Sequence, residues 1–378
     1  MTSWRYLVDD SVGAAEGLAL DESLAASYDR STGQAPPTLR LYTYRDHAAL
    51  CGRFQHLEAE IDVDACDRAG VEFNRRPTGG GAIIMGEAQL GVAVCAPAPV
   101  AESPKSILLR FSEGIVAGLA RLGIDASFGG KNDLKVGGRK IAGLGLYLDG
   151  TGGLLFHSSV LAALDIPFML EVLDIPAAKL GDAAGGAVER RVTTVSRETG
   201  REWDGKSLRE VVARGFAEAM GVDLALAEPT VEERERAAGL AELKYQTDDW
   251  RFQRSPQSDA TGTSVMKTPG GLVRLYVALS GETIKSALFT GDFNQLPDPL
   301  AEFEGRLKWS NPGEDALMRI AAETMPSGSG LEVGNHELVS LVLNAVRRAR
   351  AVEVAAPARS GSCYFPESTS ASQGGKQR

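Results

Sequence analysis

Between residues 38 and 160 the chain offers a series of short apolar or alternating runs, at 38–44, 48–51, 70–75, 81–85, 91–96, 124–128, 133–136, 139–148 and 153–160, each bounded by Gly, Pro or charged residues. Runs of this length with this punctuation read as strands. One amphipathic helix interrupts them, Ser106 to Leu122, closed by Gly123. A helix from Gly17 opens the series and ends before Pro36 and Pro37, and another over 201–220 closes it. Strands and helices do not alternate regularly, so the expectation is an α+β fold with a mixed or antiparallel sheet and flanking helices.

Length and composition bound the rest. At 378 residues the chain exceeds one typical domain. The sequence therefore reads as a larger domain over 1–235, a small α+β accessory domain over 236–354 and a disordered tail over 355–378, rich in Ser, Gly, Gln and Lys. The charge-rich run 228–239 near the join reads as a solvated helix face. Strands at 262–267, 271–280 and 282–290, followed by helical segments from Pro299, Glu314 and Asn335, make the second domain. A formal net charge of -10 argues against nucleic acid or a membrane surface as partner, since both favour a basic face. No apolar stretch is long enough to span a bilayer and Met1-Thr2-Ser3-Trp4-Arg5 carries no signal core, so a cytoplasmic monomer is the expectation. Cysteines at 51, 66, 95 and 363 have no paired spacing, which supports neither a disulfide framework nor a zinc site.

Three segments carry candidate chemistry. Arg75-Arg76-Pro77-Thr78-Gly79-Gly80-Gly81-Ala82-Ile83-Ile84 leads a basic pair through three glycines into a strand. Adjacent glycines let backbone amides approach an anion, and arginine adds a planar donor fork. The segment is neither a Walker A loop nor a dinucleotide fingerprint; a hairpin turn is its plain structural reading. The second segment, Gly130-Lys131-Asn132-Asp133-Leu134, is joined across Gly137-Gly138 to Lys140-Ile141-Ala142-Gly143, and the turn brings a carboxylate and an ammonium toward one mouth. A turn cap and a surface lysine would explain the same residues. The third is His157, alone in the apolar strand Leu154-Leu155-Phe156-His157, where a hydrogen-bonded core histidine is the plain reading.

Together these segments resemble the biotin/lipoate A/B protein ligase family, and within it the lipoate-protein ligases. The resemblance spans about residues 15–220, from Leu20-Asp21-Glu22-Ser23-Leu24 through Gly52-Arg53-Phe54-Gln55, with a weaker echo in the second domain. Arg75 to Ala82 is similar to the family's Arg-Arg-x-Thr/Ser-Gly-Gly-Gly-Ala, Lys131 to Leu134 to its Arg-Asn-Asp-Leu, and Lys140 to Gly143 to its Lys-Val/Ile-Ser-Gly. The implied fold is that of class II aminoacyl-tRNA synthetases and biotin/lipoate ligases. The implied chemistry uses ATP and Mg2+ to activate lipoate or octanoate as an acyl-adenylate, which a lysine of a lipoyl-domain carrier then attacks. The implied carriers are 2-oxoacid dehydrogenase acyltransferase subunits, the glycine cleavage H protein or similar. Lys140 is the implied catalytic residue. Arg76, Gly79, Gly80, Gly81, Ala82, Ile83, Ile84, Asn132 and Asp133 are implied to bind ATP or the adenylate, with Asp133 also on the metal. Arg75, Ile83, Val94, Leu155 and His157 are the candidates for the acyl pocket. The accessory domain is implied to close over the adenylate.

The chain departs from the family pattern at Ile84-Met85-Gly86-Glu87, where an aromatic-His-Asp sequence is common, at Ala142 in place of serine and at Lys131 in place of arginine. An ATP-independent octanoyl or lipoyl carrier-to-carrier transferase is the close alternative. It is disfavoured for cysteine-dependent members, because no cysteine lies between Cys95 and Cys363 and Cys95 sits in the apolar run 91–96. Biotin ligase and, from another class, a non-catalytic binder of lipoylated carriers complete the alternatives.

Overall fold

A computed structural model of the protein describes residues 2–28, 35–175 and 184–355. Of the expected tail, residues 356–378 lie outside the described residues. The chain divides into two compact units. The first holds Met1–Ser255, Lys267–Val273 and Thr290–Pro297, the second Pro256–Met266, Arg274–Phe289 and Asp298–Arg378.

Eight strands build the sheet of the first unit: β1 (Thr2–Val12), β2 (Thr38–Tyr44), β6 (Gln89–Pro97), β7 (Ser127–Gly129), β8 (Asp133–Val136), β9 (Arg139–Leu148), β10 (Gly153–Leu161) and β11 (Val222–Leu226). Their order is β11-β1-β2-β6-β10-β9-β8-β7. β1 runs parallel to β11 and β2, and the other pairs are antiparallel, which is the expected mixed sheet. A second sheet pairs β3 (Ala48–Cys51) with β4 (Glu72–Arg75) and β5 (Ile83–Met85). β1 escaped the sequence reading because its charged stretch Asp9-Asp10 and its period of three buried positions hide the alternation of a strand.

Strand alternation assigns each side chain to a layer. Leu39 and Leu41 of β2, Val92 and Val94 of β6, and Leu154 and Phe156 of β10 face one core with the helices Pro104–Ala120 and Gly205–Met220. Phe111, Phe156 and Phe216 are fully buried there, at about 1.5–3 kcal/mol each for the burial. The intervening Tyr42, Tyr44, Ala93, Cys95 and Leu155 face the opposite core, under the helix Ala14–Ala25. Ser103 caps the Pro104–Ala120 helix by accepting the Ser106 N–H, with Pro104 in its first turn.

The charged run forms the helix Val231–Leu240, with a capping box between Thr230 and Glu233. Its face is not wholly solvated: Glu233 is buried and receives Arg5 Nη1 at 2.7 Å. Residues 236–255, which the sequence assigns to the smaller domain, group with the first unit. Tyr245 is fully buried, and its carbonyl accepts Asn74 Nδ2 at 2.9 Å.

β12 (Gly262–Thr268), β13 (Gly271–Ser280) and β14 (Thr283–Gly291) pair in chain order, and the second unit holds their residues 262–266, 274–280 and 283–289. The helices Asp298–Leu307, Glu314–Thr324 and Asn335–Ala355 follow, and Leu275, Ile284, Phe303, Leu317 and Val342 are fully buried. No helix among the described residues is long and apolar enough to cross a membrane.

Candidate active site

The β8–β9 hairpin turns at Gly137 and Gly138, with φ of +55° and +82°, which favours glycine at both positions. It pairs Asp133 with Gly143 across the ladder. The Lys140 main chain is fixed on its other side, donating to Arg191 O and accepting from Thr193 N, both at 2.8 Å. Its ammonium reaches Asp133 Oδ1 at 2.9 Å. Gly143 makes room for it: a Cβ there would stand 2.9 Å from Lys140 Nζ.

Lys140 lines a cavity of about 90 Å³ in the first unit. Its wall includes polar side chains, among them Arg76, Asn132, Lys140, His157 and Ser159, and apolar and aromatic ones, among them Leu18, Tyr42, Tyr44, Leu50, Ile83 and Met85. An amphipathic cavity of this kind suits a molecule with a fatty tail and a reactive carbonyl or carboxylate head.

Arg76 is buried, and among the described residues no carboxylate pairs with it. Its guanidinium donates to the carbonyls of Leu50, Gly79 and Gly81 at 2.7–2.9 Å, and burial, aided by Arg75, pulls its pKa down to about 10. A buried cation satisfied only by neutral carbonyls keeps its charge available to an anion. The same burial and the Arg76 charge hold His157 down at about 3, so its imidazole is neutral. His157 Nε2 lies 2.7 Å from Thr78 Oγ1, and Gly81, Ala82 and Ile83 join it in the wall.

Other expected site residues lie elsewhere. Arg75 is fully buried and donates to the carbonyls of Gly52, Arg53, Gln55, Trp250 and Arg251; its donors hold main chain together and do not line an acyl pocket. Val94 faces the helical core on the far side of the sheet. Leu155 has the right parity but packs beneath the helix Ala14–Ala25. Ile84 alternates away from Ile83 into a cluster with Ala49, Cys51 and Leu57. Gly79 and Gly80 are absent from the wall and pack against residues 293–294. A Cβ on Gly79 would stand 2.3 Å from Phe293 O, and Gly80, at φ +93°, donates its N–H to Phe293 O at 3.2 Å.

Sequence reasoning missed Leu18, Tyr42, Tyr44, Leu50, Met85 and Ser159. The alternation in Leu39-Arg40-Leu41-Tyr42-Thr43-Tyr44 sorts the two tyrosines to one face, but β2 is buried on both faces and gives no sign of which one is hollow. Cys51, Cys66 and Cys95 are buried, and burial raises their thiol pKa values, Cys66 to about 11. None of the three lines the cavity. Among the described residues no group of three His, Cys, Asp or Glu side chains could hold a metal ion.

The lipoyl protein ligase A/B catalytic domain matches residues 13–217, the span that contains the hairpin, the glycine bend and the His157 strand. The chain belongs to this family. Its relatives include the octanoyltransferase LipM of Symbiobacterium thermophilum, 30% identical, and that of Kyrpidia tusciae, 32% identical; each match covers 67% of this chain, and 99% and 100% of the relative. Among solved structures, the bipartite lipoate protein ligase of Thermoplasma acidophilum is 28% identical with a TM-score of 0.60, covering 67% of this chain and 96% of that one. A lipoate-protein ligase A bound with ATP is 26% identical with a TM-score of 0.59, covering 67% and 99%. The expected lipoate ligase-like α+β architecture is thereby shown, and the protein is an enzyme of the lipoate ligase and octanoyltransferase family.

Proposed function

We propose that the chain transfers an octanoyl or lipoyl group to a lysine of a lipoyl-type carrier protein, taking the group from an acyl thioester without ATP. The relatives that bear the octanoyltransferase name support transfer over ATP-dependent ligation. The observation that carries the chemistry is Lys140 in the wall of a cavity lined by both polar and apolar side chains. The fatty tail lies along Leu18, Tyr42, Tyr44 and Met85, with the carbonyl oxygen on Lys140. The carrier amine attacks the carbonyl carbon, a C–N bond forms, the C–S bond breaks, and the amine's proton leaves with the thiolate. Lys140 stabilises the negative charge that develops on oxygen, a role worth roughly 10²–10³ in rate for one positioned donor. Because Cys51, Cys66 and Cys95 stand outside the cavity, this transfer goes directly to the amine with no thioester formed on any of those thiols.

A second reading, ATP-dependent ligation through an acyl-adenylate, is favoured by the arrangement of Arg76, Asn132, Asp133 and Lys140 and by the likeness to the ATP-bound ligase. Arg76, Asn132, Lys140 and the 81–83 main chain would bind the nucleotide, and Asp133 would give Mg2+ one carboxylate beside the phosphates, a usual share of protein ligands for that ion. The bend fits less well, since the Gly80 N–H is already engaged by Phe293 O.

The test offers an apo lipoyl domain to the full chain with octanoyl-carrier thioester alone, or with octanoate and MgATP, and weighs the domain by intact mass spectrometry. Acylation from the thioester alone supports transfer. Acylation only from octanoate with ATP replaces it with ligation, and acylation from neither defeats both.

A further inference from the structure

Asn132 has two amide protons, and both are engaged. Nδ2 donates to Leu144 O at 3.0 Å and to Asn294 Oδ1 at 3.4 Å. Leu144 O can only accept, so it fixes which end of the carboxamide is nitrogen. The main chain repeats the clamp, with Leu144 N donating to Asn132 O at 2.8 Å. What the Asn132 side chain has left to offer is an acceptor, Oδ1, and Asn132 lines the same cavity as Lys140.

Asn294 lies 162 positions from Asn132 in the chain, and the residues just before it are held in place. Phe293 is buried with its ring 5.7 Å from that of Phe54, Phe293 O accepts the Gly80 N–H, and Gly291 N donates to Phe54 O at 2.9 Å. These contacts lie within the first unit.

A donor and an acceptor side by side make complementary demands. The ammonium receives an oxygen, while the acceptor receives an N–H or O–H. A neutral amine that gives one N–H to Asn132 Oδ1 keeps its lone pair for a carbonyl carbon whose oxygen rests on Lys140. We infer that Asn294 is a positioning residue for the nucleophilic lysine of the carrier, acting by holding the Asn132 carboxamide with its oxygen toward the incoming amine. The inference rests on the acyl-transfer reading above. A ribose hydroxyl could donate to the same oxygen, so the nucleotide is a separate arm of the test.

The experiment measures steady-state kinetics of the full chain with apo lipoyl domain and octanoyl-carrier thioester, for wild type, Asn294→Leu and Asn294→Asp. Removing the acceptor in Asn294→Leu should lower kcat/KM for the lipoyl domain roughly five- to tenfold, the scale of one hydrogen bond. KM for the octanoyl donor should stay within about twofold, and the carboxylate of Asn294→Asp should restore the lost activity. In an Asn132→Ala background the Asn294→Leu effect should vanish, since the two act as one unit. Unchanged carrier kinetics in Asn294→Leu would overturn the inference, as would equal impairment of Asn294→Asp. So would a loss shared by donor and carrier with a lowered Tm, or, in the octanoate and MgATP arm, an effect confined to KM for ATP. Failure of the wild type to acylate the domain at all would instead remove the transfer reading itself, before any variant is compared.

Discussion

The glycine bend at 75–84 and the β8–β9 hairpin at 132–143 both reach the cavity, but they use their polar groups in opposite ways. In the bend, Arg75 holds five main-chain carbonyls, Arg76 holds three, and the Gly80 N–H is taken by Phe293 O. In the hairpin, the Lys140 ammonium pairs with Asp133 and the residue still lines the cavity. The more distinctive sequence motif is therefore largely a structural device, and the plainer motif carries Lys140, the group proposed to meet the substrate. Two adjacent arginines differ as much: Arg75 is scaffold, Arg76 is scaffold and wall.

That contrast can be broken or sharpened by exchanging stability for turnover. Arg75→Ala takes this donor from five main-chain carbonyls, two in buried and three in part-buried bonds, so thermal or denaturant unfolding should show a loss on the order of 3–5 kcal/mol. Lys140→Ala should do the reverse, with Tm nearly unchanged and acylation of a lipoyl domain roughly 10²–10³ slower. A bend variant that unfolds nothing, or a hairpin variant that unfolds the chain, would reverse the assignment. Gly143→Ala places a methyl 2.9 Å from Lys140 Nζ, and the displaced ammonium should lower kcat by about tenfold with little change in Tm.

The smallest effect is a pH dependence at the edge of the bend. His157 is held neutral, down at about 3, below its ordinary value of about 6.5. A depressed folded pKa means the unfolded chain takes up the proton first as pH falls. The stability from burying the neutral ring is therefore present above about pH 6.5 and is lost below it, at up to about 1.4 kcal/mol per pH unit. Urea unfolding between pH 7 and 5 should show this slope in wild type and not in His157→Gln.

Local features of the chain are legible in its sequence, and contacts between distant segments are not. The antiparallel part of the sheet is legible because each short apolar run carries its own boundaries, whereas β1, which makes both parallel pairs, is not; the hairpin is legible because Gly137-Gly138 sets the register that brings Lys140 to Asp133. Ile83, Val94 and Leu155 are pocket candidates on pattern alone, and of these only Ile83 lines the cavity. Period-two alternation separates the faces of a strand without telling which face meets a cavity and which meets a helix. Val94 thus fell on the wrong side of the sheet, and Leu155 on the right side under the wrong neighbour. Asn294 was beyond reach for another reason: its contact with Asn132 spans 162 positions, and no local pattern records such a pairing.

The central claim is that the acyl chain lies in the tyrosine-walled cavity with its head at Lys140, and a crystal structure of the chain with octanoate tests it most directly. The account predicts a carboxylate within hydrogen-bonding distance of Lys140 Nζ and a tail against Tyr42, Tyr44 and Met85. Octanoate seated instead in the separate groove lined by Phe54, Leu146 and Tyr147, with Lys140 bonded to Asp133 alone, would contradict it.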